Sequence, residues 1–380
     1  MKKHMRFLVL FSSIFLIYCI LFLPTVHTAR ASSKIASFKA YPPVHAYGIS
    51  STTPQGLRPD QIKTAYGLPS TGGTGTIAII AAYDDSSIQK DLSVFSKQYN
   101  LPDCTVANGC FEKFVIDPNT TKNTGWSLEK SLDVEWAHAI APQAKILLIE
   151  AKTASGPNLL AAIDYAKKRK DVVAISMSWG GREFSGETEL DTHFQSISNA
   201  PFFASSGDSG AGVSWPAVSK NVISVGGTSL KLLKTGSNAG QISSETAWSG
   251  SGGGVSSFES EPPYQSAYSI PKAHGMRAVP DVSYNADPLS GFSVYYSNGT
   301  KHGWYVLGGT SAGAPQWAAI ASLKQSVSLP KLYADKSSTS NASYFRDIKS
   351  GSNGTCTYYC DARARYDYVT GLGSPVTASF

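Results

Sequence analysis

The sequence predicts an α/β fold with a mainly parallel central sheet flanked by helices, and the order of its apolar segments supports this prediction. Five apolar runs have the length of buried strands, at residues 76–82, 145–149, 172–177, 202–205 and 222–225. Helical stretches separate the first four runs, near residues 127–140, 158–170 and 187–199. Strands that alternate with helices pair in parallel, because each crossover helix returns the chain to the same edge of the sheet.

One domain accounts for most of the chain. Of its 380 residues, 42% are hydrophobic and 16% are charged, which allows a large core and excludes a disordered chain. No linker-like change of composition and no internal repeat interrupts residues 56–380. A polar lead, residues 32–55, precedes this domain, and we expect no large prodomain.

The N-terminal segment has the features of a secretory signal peptide. Basic residues near the start are followed by an apolar run over residues 7–23, and Ala29 and Ala31 bracket Arg30. This pattern predicts a signal peptide over residues 1–31 and a secreted, extracellular product. The apolar run is close to the lower limit of a membrane span, so an uncleaved anchor remains an alternative.

The charge balance argues against a nucleic-acid partner. The chain has 33 Lys and Arg against 27 Asp and Glu, and four of the cations lie in the N-terminal segment, which has no acidic residue. The remainder is nearly neutral and offers no basic footprint for a phosphate backbone. We expect no nucleic acid, no membrane contact beyond the signal segment, and a monomer.

Four cysteines outside the signal segment form two close pairs in the sequence, Cys104 with Cys110 and Cys356 with Cys360. Pairs of this kind predict two small disulfides in an oxidising compartment. A four-cysteine metal site is the alternative, but neither pair has the two-residue spacing of a zinc knuckle.

A helix over residues 127–140 places two carboxylates side by side. Ser127 is the candidate N-cap, and Pro142 follows the helix end. Glu129 and Asp133 are four residues apart, so they lie one turn apart on one face. A solvated acidic face is the structural alternative to a functional pair.

Ser311 lies in a glycine-rich turn before another predicted helix, residues 316–323, where an exposed nucleophile could sit. The flanking glycines also fit the nucleophile elbow of α/β-hydrolases, but those enzymes need a histidine after the serine, and the last histidine is His302. An Asp-His-Ser triad with Asp84 or Asp85 and His138 is disfavoured, because His138 faces away from the carboxylate pair.

These motifs together resemble the sedolisin family of serine-carboxyl peptidases, which share the subtilisin architecture. The resemblance extends over residues 57–380 and implies a subtilisin-like single domain. Six segments carry it: Glu129 and Asp133 before residues 141–142, and residues 176–181, 205–210, 250–256, 279–282 and 308–315.

The resemblance implies a catalytic role for four residues. Ser311 would be the nucleophile, Glu129 the general base, Asp133 its hydrogen-bonded partner, and Asp208 a protonated acid that donates to the oxyanion. It further implies that residues 176–181 pair with an extended substrate and that Trp179 borders the cleft, although a core position for Trp179 is equally compatible.

The resemblance therefore implies a secreted, acid-acting endopeptidase with protein or peptide substrates. Two alternatives stay open: a catalytically silent binding protein on the same fold, and a tripeptidyl-peptidase.

One structural Ca²⁺ is also implied by the resemblance. The ion would be bound by the two carboxylates and by backbone carbonyl oxygens of a site that consists of Asp347, Ile348, Arg363, Arg365 and Asp367. Arginine stands at both positions where the family usually has glycine, and two positive charges oppose a cation. Two ordinary turn aspartates are the alternative.

Overall fold

The computed structural model describes residues 34–234, 239–298, 301–324, 327–334 and 344–377. The predicted signal peptide, residues 1–31, lies outside these ranges. The strands are β1 (His45–Ser51), β2 (Thr76–Ala82), β3 (Phe111–Val115), β4 (Lys145–Ala151), β5 (Val172–Met177), β6 (Gly181–Arg182), β7 (Phe202–Ser205), β8 (Ser214–Trp215), β9 (Val222–Leu232), β10 (Ile242–Ala247), β11 (Gly254–Ser260), β12 (Met276–Val279), β13 (Val282–Asn285), β14 (Phe292–Asn298), β15 (Lys301–Gly308), β16 (Phe345–Arg346) and β17 (Ser374–Pro375).

The α-helices are α1 (Pro59–Ala65), α2 (Ile88–Gln98), α3 (Thr124–Ile140), α4 (Gly156–Ala166), α5 (Pro263–Tyr268), α6 (Gly313–Lys324) and α7 (Leu329–Ala334). Short 3₁₀ segments cover Glu187–Phe194, Pro288–Ser290, Thr310–Ala312 and Thr357–Tyr359.

Eight strands form the central sheet, in the order β10-β9-β7-β5-β2-β4-β3, with β13 also paired to β9. Only β10 pairs antiparallel; the other neighbours are parallel. Every residue of β2 is buried, because helices cover both faces of a parallel sheet and a central strand must then be apolar throughout. The predicted α/β domain with a mainly parallel sheet is confirmed.

The predicted elements agree with the structure except at their ends. All five predicted strands are present, and β2 has the predicted bounds. The helix that carries Glu129 begins three residues earlier than predicted, because the side chain of Asn123 caps it by accepting from the Trp126 N–H. Ser127 as N-cap is therefore wrong. The stretch predicted as a helix at 187–199 is a 3₁₀ segment instead.

Two buried helices bring the candidate residues together. Helix α3 packs against α6 and against β2. Helix α6 approaches the sheet closely at Gly313, where an added Cβ would lie 2.6 Å from a methyl group of Val225. The end of α6 that follows Ser311 is thus held against the sheet, while the same helix also packs against α3.

Two disulfides, Cys104–Cys110 and Cys356–Cys360, confirm the predicted pairing. Each closes a short loop. In the part of the chain that the structure describes, no helix combines the length and the apolar character that a bilayer crossing requires.

The N-terminal lead lies against the domain. Strand β1 pairs antiparallel with β15, and β14 completes this small sheet. Before β1, Tyr41 forms an isolated antiparallel bridge with Gly180. Phe38 and Ala40 are buried, so this segment contributes to the packing of the domain.

Candidate active site

The candidate residues meet at the carboxyl ends of the parallel strands, where ligands bind in α/β sheets. Ser178 directly follows β5, and Asp208 follows β7. Ser311 lies in the 3₁₀ turn that leads into α6, and Glu129 and Asp133 project from α3. Chain segments far apart in the sequence thus converge on one edge of the sheet.

Glu129 and Asp133 form a buried carboxylate pair. Their side chains are 0% and 1% exposed, which excludes the solvated acidic face. Burial raises the pKa of Glu129 far above its ordinary value, and the nearby charges of Asp133 and Asp208 add to the shift. Burial also raises the pKa of Asp133. Two carboxyl groups in such a site hold a proton between them up to unusually high pH.

Ser178 connects this pair to the serine turn. Its hydroxyl donates to Oδ1 of Asp133 at 2.6 Å, and its Oγ lies 3.0 Å from the carbonyl oxygen of Ser311. Ser178 therefore fixes the position of Asp133 relative to the backbone that carries Ser311. This contact was not predicted, although residues 176–181 were identified as part of the site.

The hydroxyl of Ser311 faces the carboxylate pair without an aligned hydrogen bond. Ser311 is fully buried, and its Oγ and both carboxyl oxygens of Glu129 lack a hydrogen-bond partner among the described residues. The Ser311 hydroxyl is nevertheless close enough to Glu129 to oppose the rise in the pKa of that carboxyl. Nucleophile and base are often held at such looser distances before substrate binds.

Asp208 is held beside the serine turn by Thr310. Its Oδ1 accepts from the backbone N–H of Thr310 at 2.8 Å and from the Thr310 hydroxyl at 2.7 Å. Gly309 has φ 124°, and an added Cβ there would collide with Oδ2 of Asp208. Glycine is therefore required for the turn to approach the carboxyl group.

His45 forms the other contact of Asp208. Its Nε2 lies 3.1 Å from Oδ2, an ion-pair contact that is not aligned as a hydrogen bond. Asp208 raises the pKa of His45. Burial raises the pKa of Asp208, while His45 and Thr310 oppose that shift. This pair could not be predicted from the sequence, because the two residues are distant in the chain and no motif includes His45.

His138 lies outside the site. It is buried, and its Nε2 lies 2.8 Å from the carbonyl oxygen of Pro102. Asp84 contacts Lys113, and Asp85 accepts hydrogen bonds from Ser87. These contacts do not assemble an Asp-His-Ser triad with Ser311.

Trp179 is a core residue. Its side chain is fully buried, and its indole N–H donates to the carbonyl oxygen of Ile80 at 3.0 Å. The core position is therefore the correct interpretation, and the backbone of the next residue, Gly180, is paired with Tyr41.

The predicted calcium site consists of a turn whose carboxylates already have donors. Asp367 is buried and accepts from the N–H of Arg363, Val369 and Thr370 and from the Thr370 hydroxyl, at 2.8–3.1 Å. A carboxylate has about four acceptor sites. In this arrangement, Asp367 has no lone pair left for a cation.

The second aspartate of that turn is more open. Oδ2 of Asp347 accepts from the N–H of Arg365 at 3.0 Å, and its Oδ1 is buried without a partner among the described residues. Arg365 has φ 68°, so arginine adopts the left-handed conformation usual for glycine. The buried side chain of Ile348 packs near Val369. The residues as arranged do not fit a Ca²⁺ shell of six to eight oxygens, and calcium remains a prediction.

Comparisons with known proteins agree with this geometry. The sequence model of the subtilase family matches residues 117–343. Sedolisin of Pseudomonas sp. (strain 101) is 28% identical and is matched over 86% of this chain and 61% of its own length. Kumamolisin of Bacillus sp. (strain MN-32) is 30% identical over 86% of this chain and 63% of its own length. This chain thus spans less than two thirds of these relatives.

Solved structures support the same assignment. Pseudomonas sedolisin, a serine-carboxyl proteinase complexed with two molecules of pseudo-iodotyrostatin, has a TM-score of 0.71 at 27% identity, covering 85% of this chain and 96% of its own. Sphericase, with a TM-score of 0.53 at 20% identity, shares the fold. This chain therefore belongs to the subtilase family and, within it, to the sedolisin family of serine-carboxyl peptidases.

Proposed function

We propose that this chain is a secreted serine endopeptidase that cleaves peptide bonds in acid solution through an acyl-enzyme on Ser311. One observation carries the proposal: a buried pair of carboxyl groups, Glu129 and Asp133, meets Ser311 at the end of the sheet, with Asp208 beside the same turn. The similarity to a serine-carboxyl proteinase supports the same reaction.

In the first step, Ser311 Oγ attacks the carbonyl carbon of the substrate. Glu129 accepts the hydroxyl proton as the new C–O bond forms, and Asp133 orients the base while Ser178 holds Asp133. The carbonyl oxygen becomes an oxyanion. Collapse of this intermediate expels the amine, which takes the proton from Glu129 and leaves an ester on Ser311. Water then attacks the ester in the same manner.

Asp208 determines the pH at which this chemistry proceeds. As a protonated acid it can donate to the oxyanion, and one such donor contributes about 3 kcal/mol to the transition state. As an anion it can only accept. Because burial raises its pKa, protonation begins at less acidic pH than for an exposed aspartate. Glu129 and His45 face the same carboxyl group.

The two disulfides support secretion, because disulfides are stable in an oxidising compartment. We propose an extracellular protein whose substrates are unfolded proteins or peptides.

Hydrolysis of denatured casein from about pH 2.5 to 8 tests the function. We expect activity confined to acid pH and lost in Ser311→Ala and Glu129→Gln, while Ser266→Ala retains it because Ser266 is an exposed residue of α5. No Ser311-dependent cleavage by the folded protein at any pH would favour a binding protein. Release of N-terminal tripeptides alone would favour a tripeptidyl-peptidase.

A further inference from the structure

Cys104, Cys110 and His138 form a cluster of metal-ligating side chains outside the candidate active site. The two sulfur atoms and one ring nitrogen of His138 all lie within 4.8 Å of one another. Among the described residues, no other three His, Cys, Asp or Glu side chains bring their ligand atoms this close together. The two cysteines form a disulfide in the structure, so the cluster can bind a metal ion only after that bond is reduced.

The imidazole of His138 is fixed through one nitrogen and unsatisfied at the other. Its Nε2 lies 2.8 Å from the carbonyl oxygen of Pro102. A carbonyl oxygen can only accept, so Nε2 carries the proton and Nδ1 has the free lone pair. Nδ1 is buried and has no hydrogen-bond partner among the described residues. A metal-binding histidine usually has this arrangement, because the hydrogen bond at the second nitrogen sets its tautomer.

The loop between the two cysteines keeps its shape through hydrogen bonds that do not involve sulfur. Oδ1 of Asn108 accepts from the backbone N–H of Thr105 at 3.1 Å and from that of Cys110 at 3.0 Å. The amide nitrogen of the same side chain donates to the carbonyl oxygen of Asp103 at 2.8 Å. Both sulfurs are therefore held near His138 when the disulfide is reduced, although five residues separate the cysteines, more than in a zinc knuckle.

The cluster joins two elements of the fold, and one side of it is accessible. His138 lies in the last turn of α3, and the loop of residues 104–110 leads into β3. Cys104 and His138 are buried, whereas Cys110 is half-buried and residues 106–109 are exposed. A metal ion and a water molecule can therefore enter from the side of Cys110.

The donor set of two thiolates and one imidazole fits Zn²⁺. This ion binds sulfur at about 2.3 Å and imidazole nitrogen at about 2.0 Å, and water can take the fourth position of the tetrahedron. Two thiolates cancel the charge of the ion, so the bound cluster leaves no uncompensated charge in a buried position. Sulfurs in a tetrahedral shell lie about 3.8 Å apart. A disulfide does not allow this separation, so the bond and the ion exclude each other.

We propose that Cys104, Cys110 and His138 bind one Zn²⁺ when the Cys104–Cys110 disulfide is reduced, and that the disulfide excludes the ion. A dithiol passes two electrons and two protons to the S–S bond and itself becomes a disulfide. Zn²⁺ then displaces both thiol protons, which pass to water. Transfer of two electrons back to a disulfide oxidant re-forms the S–S bond and releases the ion. The inference goes beyond the proposed peptidase function and does not depend on it.

Zinc titration of the full chain tests the proposal, in Ser311→Ala so that the proposed nucleophile cannot cleave the sample. The protein is reduced with a phosphine, separated from it without oxygen, and titrated with ZnCl₂ at pH 7. We expect the reduced protein to bind one Zn²⁺ at least about a hundredfold more tightly than the oxidised protein. Equal affinity in the two states, or no binding after reduction, would overturn the proposal.

The second disulfide provides a matched control. Cys356 and Cys360 have no third ligand at this distance among the described residues. We therefore expect tight binding to persist in Cys356→Ser with Cys360→Ser and to be lost in Cys104→Ser with Cys110→Ser. The opposite result would place the zinc at the other pair and contradict the proposal.

The contribution of the imidazole is tested in His138→Gln, whose amide can still donate to Pro102. We expect the affinity for Zn²⁺ to fall at least about tenfold, since the loss of even an outer-shell partner has that effect. Undiminished binding would show that the cysteines act without the histidine and would overturn the three-residue site.

Co²⁺ spectroscopy provides a readout that does not require these variants to fold. With the native cysteines and His138 in place, we expect the reduced protein to show the absorption of tetrahedral, thiolate-bound Co²⁺. These bands should disappear when Zn²⁺ is added or when the disulfide is re-formed. An octahedral spectrum without thiolate charge transfer would overturn the proposal, whether or not the protein cleaves peptides.

Discussion

Two pairs of charged residues with the same sequence spacing are buried in this protein, and they are stabilised in opposite ways. Glu129 and Asp133 are four residues apart on α3, and Arg277 and Asp281 are four residues apart around β12. All four side chains are at most 1% exposed. One pair carries like groups, and the other is an ion pair.

The two pairs differ in how well their polar atoms are satisfied. Arg277 donates from both terminal nitrogens to Asp281, at 2.7 and 2.6 Å, and Tyr333 and the N–H of Ser224 also donate to that carboxylate. Glu129 has no partner for either oxygen among the described residues. Burying such a group opposes folding and is tolerated where it serves a reaction. An unsatisfied carboxyl thus indicates function more strongly than burial does.

The largest expected effect is the loss of activity in Glu129→Gln. Glutamine keeps the shape of the side chain but cannot accept the proton of Ser311, so we expect kcat for casein hydrolysis to fall about 10⁴-fold. Stability should not fall, because the amide is neutral at every pH and, unlike the carboxyl group of Glu129, needs no proton to stay uncharged when buried. Urea unfolding at pH 7 checks this point. A variant that is both inactive and strongly destabilised would show that Glu129 is structural.

A substitution in the ion pair should lower stability, in contrast to Glu129→Gln. Asp281→Asn leaves the guanidinium of Arg277 buried without its counter-charge, and we expect the free energy of unfolding to fall by about 3–5 kcal/mol. Asp60→Asn is the matched control, since Asp60 pairs with Arg58 at the surface, where the side chains are 68% and 50% exposed. There the loss should stay below about 1 kcal/mol. Similar losses in both variants would contradict the contrast between the pairs.

The local part of this contrast could be predicted from the sequence. Helical spacing placed Glu129 and Asp133 on one face, and the apolar run at residues 76–82 predicted β2 at its observed bounds. Both depend on interactions between residues close in the chain. The roles expected for Asp208 and Ser311 followed from short sequence motifs. Such a motif implies a local backbone geometry that the spacing of residues along the chain does not.

Contacts between distant segments could not be predicted. The pair of His45 and Asp208, and the hydroxyl of Ser178 on Asp133, depend on the tertiary packing of separate strands. The start of α3 was misplaced because several residues there can cap a helix, and only the folded chain decides that Asn123 does.

A smaller effect is expected in the pH dependence of stability. Burial raises the pKa of Glu129 and Asp133 in the folded protein, so the folded state binds protons more tightly than the unfolded chain. Their contribution to stability is complete below about pH 4, where unfolded carboxyl groups titrate, and is lost as the pH rises toward the raised pKa values.

The slope of stability against pH measures this effect. Each retained proton contributes up to about 1.4 kcal/mol per pH unit. Denaturant unfolding between about pH 4 and 8 should show that the free energy of unfolding declines less steeply with pH in Asp133→Asn than in the wild type. An unchanged slope would mean that the pair does not keep its proton in the folded state.

The smallest effect is expected from calcium. Asp367 is buried like Glu129, but its four hydrogen bonds fill its acceptor sites, so binding Ca²⁺ would require breaking some of them. We expect the Tm in excess CaCl₂ and in excess EGTA to agree within about 1 °C. A bound ion at a hundred times its Kd would add about 2.7 kcal/mol and raise the Tm by several degrees. Such a rise, abolished in Asp347→Asn, would show that the turn rearranges around a metal, because Asp347 has the one carboxyl oxygen of this turn that lacks a partner among the described residues.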